Sequence, residues 1–160
     1  EPLFAQAVAA RRRMYGASAA TAALISNYGK TLLQLNRPAE AAPLLEEAVA
    51  MAREHAGVGS LHYASALAGL SEAWVKLGAL DQAASLSEQG LADVRAALGA
   101  THPAAAVVAI SLGRVRAAQG RGAEARALLA EAQTTLAALG PAGASQINAI
   151  NQIRTEYRLG

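Results

Sequence analysis

No cysteine occurs among the 160 residues, and the chain holds one phenylalanine, one tryptophan and four tyrosines. The missing thiols exclude a disulfide framework, a thiolate zinc site and a cysteine nucleophile. The shortage of aromatics leaves few large anchors and little that could stack on nucleic-acid bases. Charge of either sign is also sparse: 14 Lys and Arg against 12 Asp and Glu leave a formal net charge of +2. That is too small to argue for nucleic acid or for an anionic membrane surface. No apolar run approaches the roughly 18 to 20 residues needed to span a bilayer; the richest, Ala104 to Leu112, stops at Gly113 and Arg114. The start, Glu1-Pro2-Leu3-Phe4, has no basic leader ahead of an apolar stretch and does not read as a signal peptide. Without an initiator Met, the chain reads as a piece of something longer. A cytoplasmic location is the simplest expectation.

What is present is a repeat. Leu70 returns as Leu112, Gly78 as Gly120, Ala83 as Ala125 and Leu86 as Leu128, all at one constant interval. Stepping back by the same interval, Leu77 falls on Leu35, Ala83 on Ala41, Leu86 on Leu44 and Leu91 on Val49. A period of this size implies a stacked array in which each unit buries its apolar face against its neighbours. Apolar residues are 53% of the chain, much of it alanine, which favours helix and close helix packing.

Helical spacing predicts eight helices, with no strand alternation: about Pro2–Tyr15, Ser18–Leu35, Pro38–His55, Ser60–Leu77, Asp81–Leu98, Pro103–Gln119, Gly122–Leu139 and Ser145–Leu159. Ile25, Tyr28, Leu32 and Leu35 form one stripe, and Leu67, Leu70, Trp74 and Leu77 another. Asp81 is expected to cap its helix. Gly78 is expected to close the helix before it in a left-handed conformation.

Leu67-Ala68-Gly69-Leu70-Ser71-Glu72-Ala73-Trp74-Val75-Lys76-Leu77-Gly78, then Ala83, Leu86, Gly90 and Leu91, then Leu98-Gly99-Ala100-Thr101-His102-Pro103, carry a resemblance. The pattern is similar to tetratricopeptide repeats of the kinesin light chain type. The resemblance implies an all-α fold, a right-handed superhelical α-solenoid of antiparallel helix pairs with about eight helices. It implies a single array over 1–160: a second helix at 1–16, repeats at 17–58, 59–100 and 101–142, and a first helix at 143–160. Departures stand out. Arg116 occupies the place of Leu32 and Trp74, so the third repeat has a weaker interior or a charged opening there. Ser87 and Gly90 replace a large and a small residue, the His-Pro turn occurs only once, and the last helix is one residue short between Tyr157 and Gly160.

In this fold the first helices line a concave face, so the resemblance implies a peptide groove. Asn27 and Lys30, Glu72 and Lys76, Ser111 and Arg114, and Asn148, Asn151, Thr155 and Arg158 come from successive first helices. Asn27 and Asn151 sit where the family uses asparagine to hold a peptide backbone, and Gly69 interrupts that series. An amide offers both a donor and an acceptor, as a peptide bond does. Lys30, Arg114 and Arg158 favour acidic residues or a terminal carboxylate. The Lys/Asn set of the chaperone-binding branch is not in place.

Chemistry is not indicated. His55, His62 and His102 lie at separate turns, without i, i+4 pairing or an acidic cluster, so no metal or other cofactor is expected. His102 reads as a helix-start residue. Ser60 near His62 lacks a third group to orient the histidine. Gly57-Val58-Gly59 and Gly120-Arg121-Gly122 read as helix stops rather than phosphate cradles. Arg11-Arg12-Arg13 sweeps about 200° of a helix and makes no single basic face. Glu46 and Glu47 have no opposed partner. The expectation is a protein- or peptide-binding scaffold, not an enzyme, without nucleic-acid or membrane partners. Its alanine-rich composition suits a bacterial signalling protein. The competing expectation is a homodimer through the terminal helices, with Leu3, Phe4 and Val8 exposed.

Overall fold

The computed structural model describes residues 2–160, apart from the side chains of Pro2, Phe4, Ala5, Ala7, Arg11, Arg12 and Tyr15. The expectations for Phe4, Arg11 and Arg12 therefore lie outside the described residues. Eight α-helices follow in order: α1 (Pro2–Tyr15), α2 (Ala19–Gln34), α3 (Pro38–His55), α4 (Leu61–Lys76), α5 (Leu80–Leu98), α6 (Pro103–Ala118), α7 (Gly122–Ala137) and α8 (Ala144–Glu156). A 3-10 turn at Gly140–Gly143 precedes α8. Among the described residues there is no strand. The helices pair as an α-solenoid, with α2 on α3, α4 on α5 and α6 on α7, while α2, α4, α6 and α8 also pack on one another in sequence.

Local signals set these boundaries at the repeat spacing. Ser18, Ser60 and His102, evenly spaced along the chain, cap α2, α4 and α6. Ser18 Oγ accepts from Thr21 N–H and Ser60 Oγ from Tyr63 N–H, each at 3.1 Å. His102 Nδ1 accepts from Ala104 N–H at 3.1 Å, while Pro103 occupies the first turn, where no donor is needed. The same helices end in a left-handed residue: Asn36 (φ 56°), Gly78 (φ 77°) and Gly120 (φ 76°). The next N–H then reaches back, from Arg37 to Leu32 O, Ala79 to Trp74 O and Arg121 to Arg116 O, at 2.8 to 2.9 Å. Asp81 is not a cap: α5 starts at Leu80 after Ala79, which makes no side-chain capping bond, and Asp81 sits in the first turn. Leu35 (51% exposed) and Leu77 (46% exposed) leave the buried stripe because they stand at the C-caps, where the chain is already turning outward.

α8 repeats this turn in a different register. Tyr157 is its C-cap, Arg158 takes the left-handed conformation (φ 53°), and Leu159 N–H reaches Arg154 O at 2.9 Å. Arg158, not Gly160, is therefore the counterpart of Gly120. The step from Gly120 to Arg158 is shorter than that from Gly78 to Gly120, and every position of α8 shifts by two from the expected alignment.

The core is a series of buried apolar clusters joined by half-buried side chains such as Val49, Leu86 and Trp74. Ala41, Ala83 and Ala125 are fully buried, as are Leu32, Leu45, Leu67, Val94, Val115, Leu129, Ile150 and Ile153. Val8, expected to be exposed, is buried on Ile25, Ala48 and Ala66, whereas Leu3 is exposed. Trp74 is half-buried and bridges repeats, packing on the cluster of Leu32, Ala41, Leu45 and Leu70 and on that of Ala83, Ala84 and Val115.

The departures at Ser87 and Arg116 have structural partners. Leu45 and Leu129 lie so close over α2 and α6 that a Cβ on Gly29 or Gly113 would meet them at 2.6 and 2.9 Å. At the equivalent place in the middle repeat the pair is Ser71 and Ser87, and Ser87 Oγ donates to Ser71 Oγ at 2.9 Å in a buried bond. A glycine–leucine fit is thus exchanged for a hydrogen-bonded serine pair. Arg116 is buried rather than an opening. It pairs with Glu88 of α5, approaches Glu124 of α7 at 3.3 Å, and donates to Gln119 Oε1 at 2.8 Å.

Candidate functional site

One groove of about 530 Å³ crosses α2, α4, α6 and α8. Five of the sequence-derived residues meet there: Lys30, Glu72, Lys76, Ser111 and Arg114. The chain has two lysines, and both line this groove. With Arg114 they set three cations against the single carboxylate Glu72.

The charged groups are placed by the helix register. Position for position, Lys30, Glu72, Arg114 and Gln152 are equivalent on the four helices, counted back from the left-handed residues Asn36, Gly78, Gly120 and Arg158. Lys30 lies along α4 and donates its ammonium to Ser65 Oγ. Its stem passes Gly69 at ordinary contact distance, with Cγ and Cε 3.5 Å from where a Cβ would stand; the side chain that needs the glycine is Leu45, whose Cδ2 would meet that Cβ at 2.9 Å. Burial holds the Lys30 ammonium below the ordinary lysine range, and the Glu72 charge opposes that shift. Glu72 Oε1 lies 3.8 Å from Arg114 Nη1, close enough to attract but not to hydrogen-bond. Ser111 Oγ donates to Val107 O at 3.3 Å. Gln146 lines the groove, and its amide oxygen is buried with no hydrogen-bond partner.

The other expected residues are elsewhere. Asn27 is exposed on α2 and does not line the groove. Asn148, Asn151 and Thr155 line a separate shallow depression on α8, together with Gln152 and Glu156. Arg158 lines neither, because it forms the left-handed turn after α8. The cause is the register shift by two. Counted from Arg158, the position equivalent to Ser111 is Ala149, not Asn151, and the position equivalent to Arg114 is Gln152. Both Ala149 and Gln152 do line the groove. Sequence reasoning also missed its apolar floor of Leu33, Val107 and Ile110. Those side chains look like core residues by periodicity, and only stacking reveals that they border a cleft.

The histidines do not gather. His102 caps a helix, His62 is exposed, and His55 lies 3.8 Å from Glu54. Among the described residues no group of three His, Asp or Glu could hold a metal ion, and no helix is long and apolar enough to cross a membrane. The groove can therefore offer cations, one carboxylate, amides and an apolar floor to a ligand.

Comparison with curated proteins finds no match. A family model described as tetratricopeptide repeat matches residues 21–62 and 64–104. Those two spans take in nearly all of α2, α3, α4 and α5 and the turns between them, and together they make up just over half of the chain. Repeats of this kind are generally protein–protein interaction modules. By its paired helices and by this match, the chain belongs to the tetratricopeptide repeat family.

Proposed function

We propose that the chain is a binding scaffold, not a catalyst, and that its ligand is an extended, acidic protein segment lying in the groove across α2, α4, α6 and α8. The single observation that carries this is the concentration of Lys30, Lys76 and Arg114 in one cleft of a chain whose net charge is only +2. Cations on partly desolvated walls attract carboxylates more strongly than cations in open water. Gln146 and Gln152 supply amides suited to a peptide backbone. The reading includes the kinesin light chain type, a single array over 1–160, and a cytoplasmic, bacterial signalling parent. These rest on the L-G-x-x-H-P turn, the repeat spacing, the absence of cysteine and the alanine content.

The test is fluorescence anisotropy with a labelled peptide of alternating Asp and Ser, against a Lys and Ser control. Binding of the acidic peptide that weakens in the Lys30→Ala/Arg114→Ala variant, with unchanged helicity, supports the groove. Equal binding by the variant refutes it. Self-association through the helix ends is less well supported at α8. The positions filled by Ser26, Gly29 and Leu33 on α2, and by Ile110, Gly113 and Ala117 on α6, are buried under neighbours. On α8 they are Asn148, Asn151 and Thr155, all polar and exposed.

A further inference from the structure

Glu72 is the one carboxylate of the groove, and it shares that cleft with three cations. It belongs to α4, which packs both on α2, the helix of Lys30, and on α6, the helix of Arg114. Lys76 follows one turn later on α4 and is exposed. Arg114 Nη1 lies 3.8 Å from Glu72 Oε1, within reach of attraction but too far for a hydrogen bond. Lys30 is engaged elsewhere, since its ammonium donates to Ser65 Oγ. A carboxylate set among cations is what an acidic ligand brings to this cleft. The chain already supplies one of its own, and holds it loosely.

We propose that Glu72 is an internal competitor for the acidic ligand: it occupies the place beside Arg114 that a ligand carboxylate takes, and yields it on binding. This rests on the acidic-segment reading above and adds which residue limits the affinity. A guanidinium can grip a carboxylate through two parallel N–H donors at about 2.7–2.9 Å, a bond that Glu72 does not make. An incoming carboxylate therefore gains more at Arg114 than Glu72 loses on leaving. Two carboxylates at one guanidinium repel each other, so the exchange is favoured over sharing. Both side chains can be reached from solvent, Arg114 being 20% and Glu72 34% exposed. Lys76 is placed to receive the released carboxylate, because Glu followed by Lys four residues later on a helix is the favourable order for a pair.

The experiment uses the labelled Asp and Ser peptide on the whole chain, at about 50 mM salt to limit screening. It compares the native protein with Glu72→Gln, Arg114→Ala and the double variant. Glu72→Gln should bind about twofold to fivefold more tightly than the native chain, the scale of one partly exposed ion pair. Arg114→Ala should bind more weakly, and adding Glu72→Gln to it should return only a small part of that gain, because the contested place is gone. Glu131→Gln removes the same charge from α7, outside the groove, and should leave the affinity nearly unchanged. Circular dichroism checks that every variant stays helical. No gain from Glu72→Gln overturns the competition and leaves the acidic groove standing. So does an equal gain with and without Arg114, or an equal gain from Glu131→Gln, since Glu72 then acts only through net charge. If neither the native chain nor Glu72→Gln binds the acidic peptide, the acidic reading falls and the competitor with it.

Discussion

Leu32, Trp74 and Arg116 occupy one position in three successive first helices, and the first two junctions are built differently from the third. Leu32 is buried among apolar neighbours, and Trp74 bridges two apolar clusters. Arg116 fills the same space with a guanidinium whose side chain is 9% exposed, answered by Glu88 from the preceding repeat and Glu124 from its own, each about half exposed. A charge is tolerated here because the site lies between two second helices that can each reach it with a carboxylate from the solvent side. The stem supplies the packing and the head keeps partners that remain partly wet. The comparison teaches that a stacking position in this array demands a filled volume, and that polarity is permitted where adjacent repeats provide the counter-charge.

The largest break in that comparison should come from Trp74→Ala. It removes an aromatic shared by two clusters and should cost about 3 kcal/mol in urea unfolding, the low end for a buried ring because part of this one is exposed. A cost below about 1 kcal/mol would mean that the second junction does not depend on a filled volume. Next is the other discordant pair. Ser87→Leu alone forces a leucine over Ser71 and should cost about 1–3 kcal/mol. Adding Ser71→Gly recreates the fit of Gly29 with Leu45 and should recover much of that loss, so the double variant should be more stable than the sum of the singles predicts. Additive losses would show that the serine pair is not an exchange for the glycine–leucine fit.

Arg116→Ala should cost about 1–2 kcal/mol through lost packing and hydrogen bonds. Arg116→Leu should fall within about 1 kcal/mol of the native chain, since an apolar residue of similar reach needs no counter-charge. If Arg116→Leu is as damaging as Arg116→Ala, the ion pairs, not the volume, hold the third junction. Salt gives a smaller signal. Raising sodium chloride to about 0.5 M should speed amide exchange in α6 and α7 more than in α2 and α3, because the carboxylates there answer a buried guanidinium, whereas the α3 pairs, Arg37 with Glu40 and Arg53 with Asp93, are made by arginines that are themselves 35% and 58% exposed.

The smallest effect concerns Lys30. Burial lowers its pKa from the ordinary 10.5, so the fold penalises the charged form. The penalty is fully present at neutral pH and fades as pH rises through the lowered value toward 10.5. Lys30→Met should therefore raise the urea midpoint slightly at neutral pH, with the gain shrinking as pH approaches 10.5. A gain that grows with pH has the wrong sign and would place the ammonium in a stabilising pair.

Much of the architecture was legible in the residues alone. Spacing of Leu70 and Leu112, Gly78 and Gly120, and Ala83 and Ala125 announces the stack, because each repeat must present the same apolar face to the same kind of neighbour. Five groove residues were also legible, since the groove inherits the constant repeat step as far as α6. The last helix was not. Nothing in Tyr157-Arg158-Leu159-Gly160 says which residue takes the left-handed turn, and glycine is the natural expectation because it lacks a Cβ. Tertiary packing put Arg158 there instead, by seating Ile150, Ile153 and Leu159 in the core, where the transfer of three large side chains out of water outweighs the strain of one arginine at positive φ. That shift in register decided which α8 side chains face the groove. Periodicity determines which face of a helix is apolar. Which polar residues beside that face converge on a cleft depends on where neighbouring helices stop, and only the folded stack sets that.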